Sequence, residues 1–228
     1  MSILLAIETS TPVCSVAISE NGIVLAHREA EGDKAHASNV NVFIEEVLAE
    51  ASKSMKDLDA VAVSSGPGSY TGLRIGVSTA KGLCTALDIP LIAVNTLEAM
   101  AFEAGAKHPD KLVCPMIDAR RMEVYALVQN QKGEIIEDTK PFILDENSFD
   151  SHLKEEIVFV GNGMPKWIEF TTNQNALSDT EIRPLAKNVL ALAEQKYQKE
   201  VFEDIAYYEP FYLKQAQVTV SKKNFLKN

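Results

Sequence analysis

ILLAIETSTPVCSVAISENGIVLAH, residues 3–27, and LVCPMIDARRMEVYALVQNQKGEII, residues 112–136, carry one pattern twice, and that repetition decides the fold. In the first copy Ile3 to Ile7 is a short apolar run and Val13 to Ile18 alternates apolar with small residues. Asn21-Gly22 then turns the chain into a third run, Ile23 to His27. This predicts an antiparallel meander of three strands. The second copy repeats it with Leu112 to Ile117, Glu123 to Val128 and, after a turn at Gly133, Glu134 to Ile136. The offset scarcely drifts, because Glu8 aligns with Asp118 at 110 residues and Gly22 with Gly133 at 111.

Downstream of the first meander, the stretch His36 to Ser52 gathers Val40, Phe43, Ile44, Val47, Leu48 and Ala51 on one helical face. A strand at Ala60 to Val63, a helix at Thr71 to Leu87 and a strand at Leu91 to Val94 follow, and Thr96 is placed to cap a helix running through Glu103. The second copy should continue likewise, with a helical stretch and then a strand, Ile157 to Val160. That strand ends in Gly161-Asn162-Gly163, as the earlier one leads to Gly66-Pro67-Gly68. The expected architecture is α/β: two tandem duplicated lobes, residues 1–95 and 96–228, facing each other across a cleft. Glu8 and Asp118, each at the first turn of its meander, should point into that cleft.

The 228 residues are 46% hydrophobic and 24% charged, which excludes disordered, collagenous and coiled-coil chains. The net charge of −10 repels phosphate backbones, so the chain alone should bind RNA poorly. A start of MSILLAIETS has too short an apolar run for a signal segment or a membrane span, and the protein is expected to be cytoplasmic. Cys14, Cys84 and Cys114 lack CxxC spacing and sit among apolar neighbours, as buried thiols of a reducing compartment do. No metal site is expected, since His27, His36, His108 and His152 offer no i, i+4 pair.

GPGSYTGLRIG, Gly66 to Gly76, lies where a strand gives way to a helix, so its backbone N–H groups could receive an anion. The alternative is a tight turn whose glycines permit close packing. A phosphate-binding P-loop is not matched, and a dinucleotide fingerprint would need glycine at Thr71. Ser69 is the best-placed hydroxyl, but Tyr70-Thr71 breaks the nucleophile-elbow pattern. Glu8, Gly66, Gly68, Ser69 and Asp118 therefore outline at most a degenerate nucleotide cleft. The two acids could hold magnesium, yet Thr9-Ser10 and Ala119-Arg120 follow them where phosphate chemistry calls for glycine.

Gly72, Gly76 and Ala80 recur every four residues and leave a shallow strip along their helix, open to a second helix or to this chain's own sheet. Leu73, Val77, Cys84 and Leu87 form one apolar face, and Ile75, Thr79, Gly82 and Ala86 a second uncharged one. A helix with two such faces should be buried on two sides. The expected partner interface comprises Val40, Phe43, Ile44, Val47, Gly72, Leu73, Gly76, Val77 and Ala80.

Taken together, ILLAIETSTPVCSVAI, DLDAVAVSSGPGSYTGLRIGVSTAKGL, VNTLEAMA, IDARRMEVYAL, GNG and PFYLK resemble the bacterial TsaB (YeaZ) family from Ile3 to about Lys214. The resemblance implies an actin-like, hexokinase-like (ASKHA) ATPase fold and a non-catalytic scaffold subunit without cofactor. Its implied partners are TsaD and TsaE, with a homodimer when alone. With them it would help install threonylcarbamoyl on the adenosine beside the anticodon of tRNAs reading codons that begin with A, reaching tRNA only through the complex. Glu8 stands where the family often has Asp, and Tyr70 where it often has Phe. The paired-histidine metal motif of TsaD is absent. The rival class is an ATP-dependent kinase or ATPase, motivated by Glu8, Asp118 and the two Gly-x-Gly turns. A protease-like hydrolase finds no nucleophile and base pair.

Overall fold

The computed structural model describes residues 2–32 and 35–214. The first lobe runs β1 (Ile3–Glu8), β2 (Val13–Glu20), β3 (Ile23–Glu31), α1 (Ala35–Glu50), β4 (Ala60–Gly66), α2 (Tyr70–Leu87) and β5 (Leu91–Asn95). After α3 (Thr96–Lys107) the second lobe runs β6 (Leu112–Asp118), β7 (Glu123–Gln129), β8 (Ile135–Ile143), β9 (Ile157–Val160), α4 (Met164–Ile168), β10 (Ala176–Asp179) and α5 (Ala186–Gln198). Among the described residues the strands make two five-stranded sheets, ordered β3-β2-β1-β4-β5 and β8-β7-β6-β9-β10, so the duplication in sequence is a duplication of topology.

Strand chemistry follows position. The central strand β1 is buried along its whole length because both of its faces are covered, which is why its sequence is a continuous apolar run. It pairs antiparallel with β2 (Leu5 opposite Ile18) and parallel with β4 (Leu5 beside Val61). From Leu25 onward the outer strand β3 alternates exposed and covered residues, as a half-solvated strand does. β8 carries Pro141 in an edge strand, where a missing N–H need cost no ladder bond.

Helix ends have local causes. Ser69 caps α2, its hydroxyl accepting from the Gly72 N–H at 3.3 Å, and Asp88 ends the helix in the left-handed conformation at φ 56°. For α3 the expected cap, Thr96, is instead the first helical residue. Asn95 does the capping, its Oδ1 accepting from the N–H groups of Leu97 and Glu98.

Each sheet is covered on both faces, and two of the four covering layers are exchanged between the copies of the repeat, α3 closing the first copy in sequence and α5 the second. One face of the first sheet, with Leu5, Ile7, Val16 and Val63, lies under Val40, Ile44 and Val47 of α1 and Val77 and Ala80 of α2. Its other face, with Leu4, Ala6, Ala62 and Ile92, is sealed by Ala186, Val189, Leu190 and Ala193 of α5. Conversely α3 lays Leu97, Met100, Ala101 and Ala104 on Val113, Leu127 and Val158 of the second sheet. The last covering layer sets Phe149 and Trp167 against Phe159 of β9, with ring centroids 5.4 to 6.1 Å apart.

Two expectations need correction. A helical stretch does not follow the second meander. Residues 144–156 form turns built on Asp145, Ser148 and a left-handed Phe149, because these polar side chains satisfy nearby backbone N–H groups themselves. The helix after Gly163 is correspondingly cut to five residues. Nor is α2 buried on two sides within this chain, since Ile75, Thr79, Gly82 and Ala86 remain at least partly exposed.

The exchange predicts the outcome of Leu190→Ala. The cavity should cost about 2–5 kcal/mol in urea unfolding. Amide exchange should accelerate in β1 and β4, more than 100 residues away in sequence; loosening restricted to the second lobe would contradict the packing.

Candidate functional site

The site grows from the turn between β1 and β2, which sits directly on α2. A Cβ at Gly72 would overlap the Thr9 carbonyl oxygen, one at Gly76 the Thr9 hydroxyl, and one at Gly68 the Ser10 backbone. Polar bonds fix the seat. Thr9 Oγ1 donates to the Gly72 carbonyl at 2.8 Å, and the Ser69 N–H donates to the Ser10 carbonyl at 2.6 Å. The His36 Nε2 lies 2.7 Å from the Thr11 carbonyl oxygen, joining α1 to the same turn. The second lobe repeats the device: Gly161 and Gly163 close on the backbone of Met116 and Ile117 at the end of β6.

The glycine strip is therefore filled from within. Gly72, Leu73, Gly76, Val77 and Ala80 are all buried in this chain, as are Val40, Ile44 and Val47 of α1, and Phe43 is partly buried against the same core. This corrects the expectation that these nine residues face a partner. The reason is that a helix lying on a sheet spends its smallest residues where backbone comes closest, and here the approaching backbone is Thr9-Ser10.

The second uncharged face of α2 lies open. Gly82 and Ala86 are exposed, Ile75 and Thr79 half-exposed, and nothing lies within 4 Å of a Cβ added at Gly82. Beside it, α1 turns Val42 (48% exposed), Glu45 and Ala49 to solvent.

The two candidate acids are not equivalent. Glu8 is fully buried at the end of β1; its Oε1 accepts from the Ser10 N–H at 2.6 Å. Burial raises its pKa above the ordinary carboxylate value of 4.5, against the opposing pull of the Ser10 and Ser64 hydroxyls and the nearby backbone N–H groups. Asp118 is exposed; its Oδ1 takes the Arg120 N–H and the Lys166 ammonium, both at 2.6 Å. One carboxyl is enclosed and the other is committed to a surface ion pair, so the structure does not assemble them as a shared metal-binding pair.

The sequence reading missed a strap formed by the last described residues. Glu203 bridges to Leu91 on the free edge of β5, and Lys81 Nζ donates to the carbonyls of Ala206 and Tyr208. The Phe211 N–H then donates to the Ser65 carbonyl at 2.7 Å, with the Phe211 carbonyl close above Gly66. Tyr212 stacks on Tyr70, with centroids 4.9 Å apart, and accepts from Arg74 Nε at 3.3 Å. Leu213 joins the apolar cluster of the second sheet, and Lys214 pairs with Glu123. The strap so links both lobes and lies over the Gly66 turn. The PFYLK run was its signal, since aromatic side chains flanking a proline suit an extended segment laid on a surface.

Among the described residues no three His, Cys, Asp or Glu side chains could jointly hold a metal ion. His108 meets Asp179 at 2.9 Å and His152 meets Glu137 at 2.8 Å. The three cysteines are free and buried, and burial pushes the thiols of Cys14 and Cys84 up to about 11. No helix among the described residues is long and apolar enough to cross a membrane.

Two lobes of one topology, joined by exchanged helices, define the actin-like, hexokinase-like ATPase fold. Component A of the Acidaminococcus fermentans (R)-2-hydroxyglutaryl-CoA dehydratase shares it, with a TM-score of 0.54 at 10% identity over 87% of this chain and 99% of that one. A family profile described as "TsaD: tRNA N6-adenosine threonylcarbamoyltransferase" matches residues 24–222. The "tRNA threonylcarbamoyladenosine biosynthesis protein TsaB" of Escherichia coli K12 is 35% identical over 220 residues, 92% of this chain and 94% of that one. Its Haemophilus influenzae counterpart is 31% identical over 221 residues, 92% and 93% of the two chains. The structure titled "YeaZ from Pseudomonas aeruginosa" aligns with a TM-score of 0.78 at 29% identity, over 93% of this chain and all of that one. The chain belongs to the TsaB (YeaZ) family of tRNA threonylcarbamoyladenosine biosynthesis proteins.

Two measurements check this geometry. Gly76→Ala should destabilise the protein by about 1–3 kcal/mol in chemical denaturation through overpacking against Thr9. Gly82→Ala should be neutral or slightly stabilising, because its added methyl meets open space. Glu8 gives the second. Below pH 4.5 the carboxyl is protonated in both folded and unfolded chains. Above it the unfolded chain loses the proton first, so stability falls with rising pH until the folded carboxyl ionises too. Glu8→Gln removes the titration, and its stability relative to the parent should improve as the pH rises above about 4.5.

Proposed function

We propose that the chain acts in tRNA threonylcarbamoyladenosine biosynthesis as a non-catalytic scaffold subunit, assembling with TsaD and TsaE. It docks on TsaD through the outward sides of α1 and α2, and the same surface makes a homodimer when the chain is alone. The observation that carries this is the open, uncharged side of α2, with Ile75, Thr79, Gly82 and Ala86 beside the exposed Val42 of α1. Small residues without charge let a second helix backbone come close, and such a face is otherwise unfavourable in water. The interface is thus the reverse side of the helices first expected to form it.

The non-catalytic part is supported by the strap over Gly66 and by the enclosure of Glu8, which together leave no accessible acid at the end of β1 beside the Gly66-Pro67-Gly68 turn, and by the ion pair that engages Asp118 with Lys166. The net charge of −10 makes the chain a poor ligand for tRNA by itself, so tRNA is reached through the complex.

The test is Gly82→Arg and Ala86→Glu, chosen because both positions are solvent-exposed and leave the core intact. Each should keep its circular dichroism spectrum and melting temperature, yield a monomer in light scattering, and lose TsaD in a pull-down. A folded variant that still dimerises and still retains TsaD refutes this surface. Turnover of magnesium ATP by the purified parent chain would favour the ATPase reading instead.

A further inference from the structure

Far from the outward side of α1 and α2, a groove of about 480 Å³ runs along α3, walled by the β7–β8 turn and by α5. Its volume falls in the range of small-molecule sites. Glu98, Phe102 and Ala106 follow one another along the helix, Ile135 faces them from β8 and Leu192 from α5. Two of these walls are large and apolar yet open to water, since Phe102 and Ile135 are each 41% exposed. Gln129 closes the floor, its amide donating to the Ala101 carbonyl.

The charged groups of this groove are spoken for, with two exceptions. Lys111 pairs with Glu156, and His108 with Asp179. Lys132 stands exposed in the β7–β8 turn, at the solvent edge. Glu98 is half-buried, and its carboxylate makes no hydrogen bond or ion pair to any described residue. It does not cap its own helix either, because Asn95 already takes the Leu97 and Glu98 N–H groups. The nearest cation, Lys196, donates to the Ala93 carbonyl at 2.7 Å, while Asp138 adds negative charge. Burial consequently holds the Glu98 pKa above the usual carboxylate value.

We propose that this groove is a binding site for a small organic cation with an apolar body, whose ammonium or guanidinium pairs with Glu98 while its hydrocarbon lies between Phe102 and Ile135. A single carboxylate is too little for a metal ion. An anion would be repelled by the half-buried Glu98 and by Asp138 beside it. An ammonium supplies the missing counter-charge and hydrogen-bond donors, and an aromatic or aliphatic body covers the two exposed apolar walls.

The test uses the full chain and 2-phenylethylamine, with 2-phenylethanol and phenylacetate as neutral and anionic comparators. Isotope-labelled protein should show saturable amide shifts at Phe102, Gly105 and Ile135 on titration with the amine, and at least tenfold weaker responses to both comparators. Glu98→Gln, with its melting temperature unchanged, should weaken the amine at least tenfold, while Lys132→Ala leaves it within twofold. If Glu98→Gln does not fold, Phe102→Ser provides the same reading. Absence of saturable shifts, equal binding of the three compounds, or undiminished binding by both groove variants would overturn the proposal. None of these results bears on the TsaD pull-down.

Discussion

The close seat of the Thr9-Ser10 turn on α2 is the constraint to which the rest of the molecule answers. It is possible only because Gly68, Gly72 and Gly76 present no side chains there, and because the Thr9 hydroxyl donates to the Gly72 carbonyl and the Ser69 N–H to the Ser10 carbonyl, as a buried turn requires. The contact fixes the height of α2 above β4, and with it which side of the helix remains outside. It also fixes Glu8 one residue before the turn, inside the protein rather than at a cleft surface. A pattern read as a surface for meeting another molecule is in fact the fastening between a strand turn and its own helix.

The duplicated meander was legible because period-two alternation, an Asn-Gly turn and a steady offset are local signals. The strands at both copies and the two helices of the first lobe follow from them. The exchange of α3 and α5 was not legible, because Leu97, Met100 and Ala101 say only that a helix has an apolar face, not which sheet receives it. The same ambiguity governed α2: spacing showed two uncharged faces, and only the position of Thr9 decides which is inner. The loss of the helix at residues 144–156 came from side chains competing for the backbone, an effect that hydrophobic periodicity does not register.

At the candidate site, the residue types were legible and their environments were not. Glu8 and Asp118 occupy matching places in the repeat, yet one is enclosed and the other is tied to Lys166. Asp118 meets its partner Lys166 only across 48 residues of chain, and Glu8 is enclosed by burial at the end of β1, neither of which a local pattern records. The Glu98 groove was invisible for a related reason, since an unpaired carboxylate is defined by what fails to reach it.

The exchanged helices also set the order in which the chain acquires its shape during synthesis. When the first 95 residues have left the ribosome, β1, β4 and β5 can pair, but the face carrying Leu4, Ala6, Ala62 and Ile92 has nothing to cover it until α5 emerges about 90 residues later. The nascent first lobe therefore keeps one apolar side uncovered while those residues are made. That face stays open to non-native contacts until Val189, Leu190 and Ala193 of α5 close it.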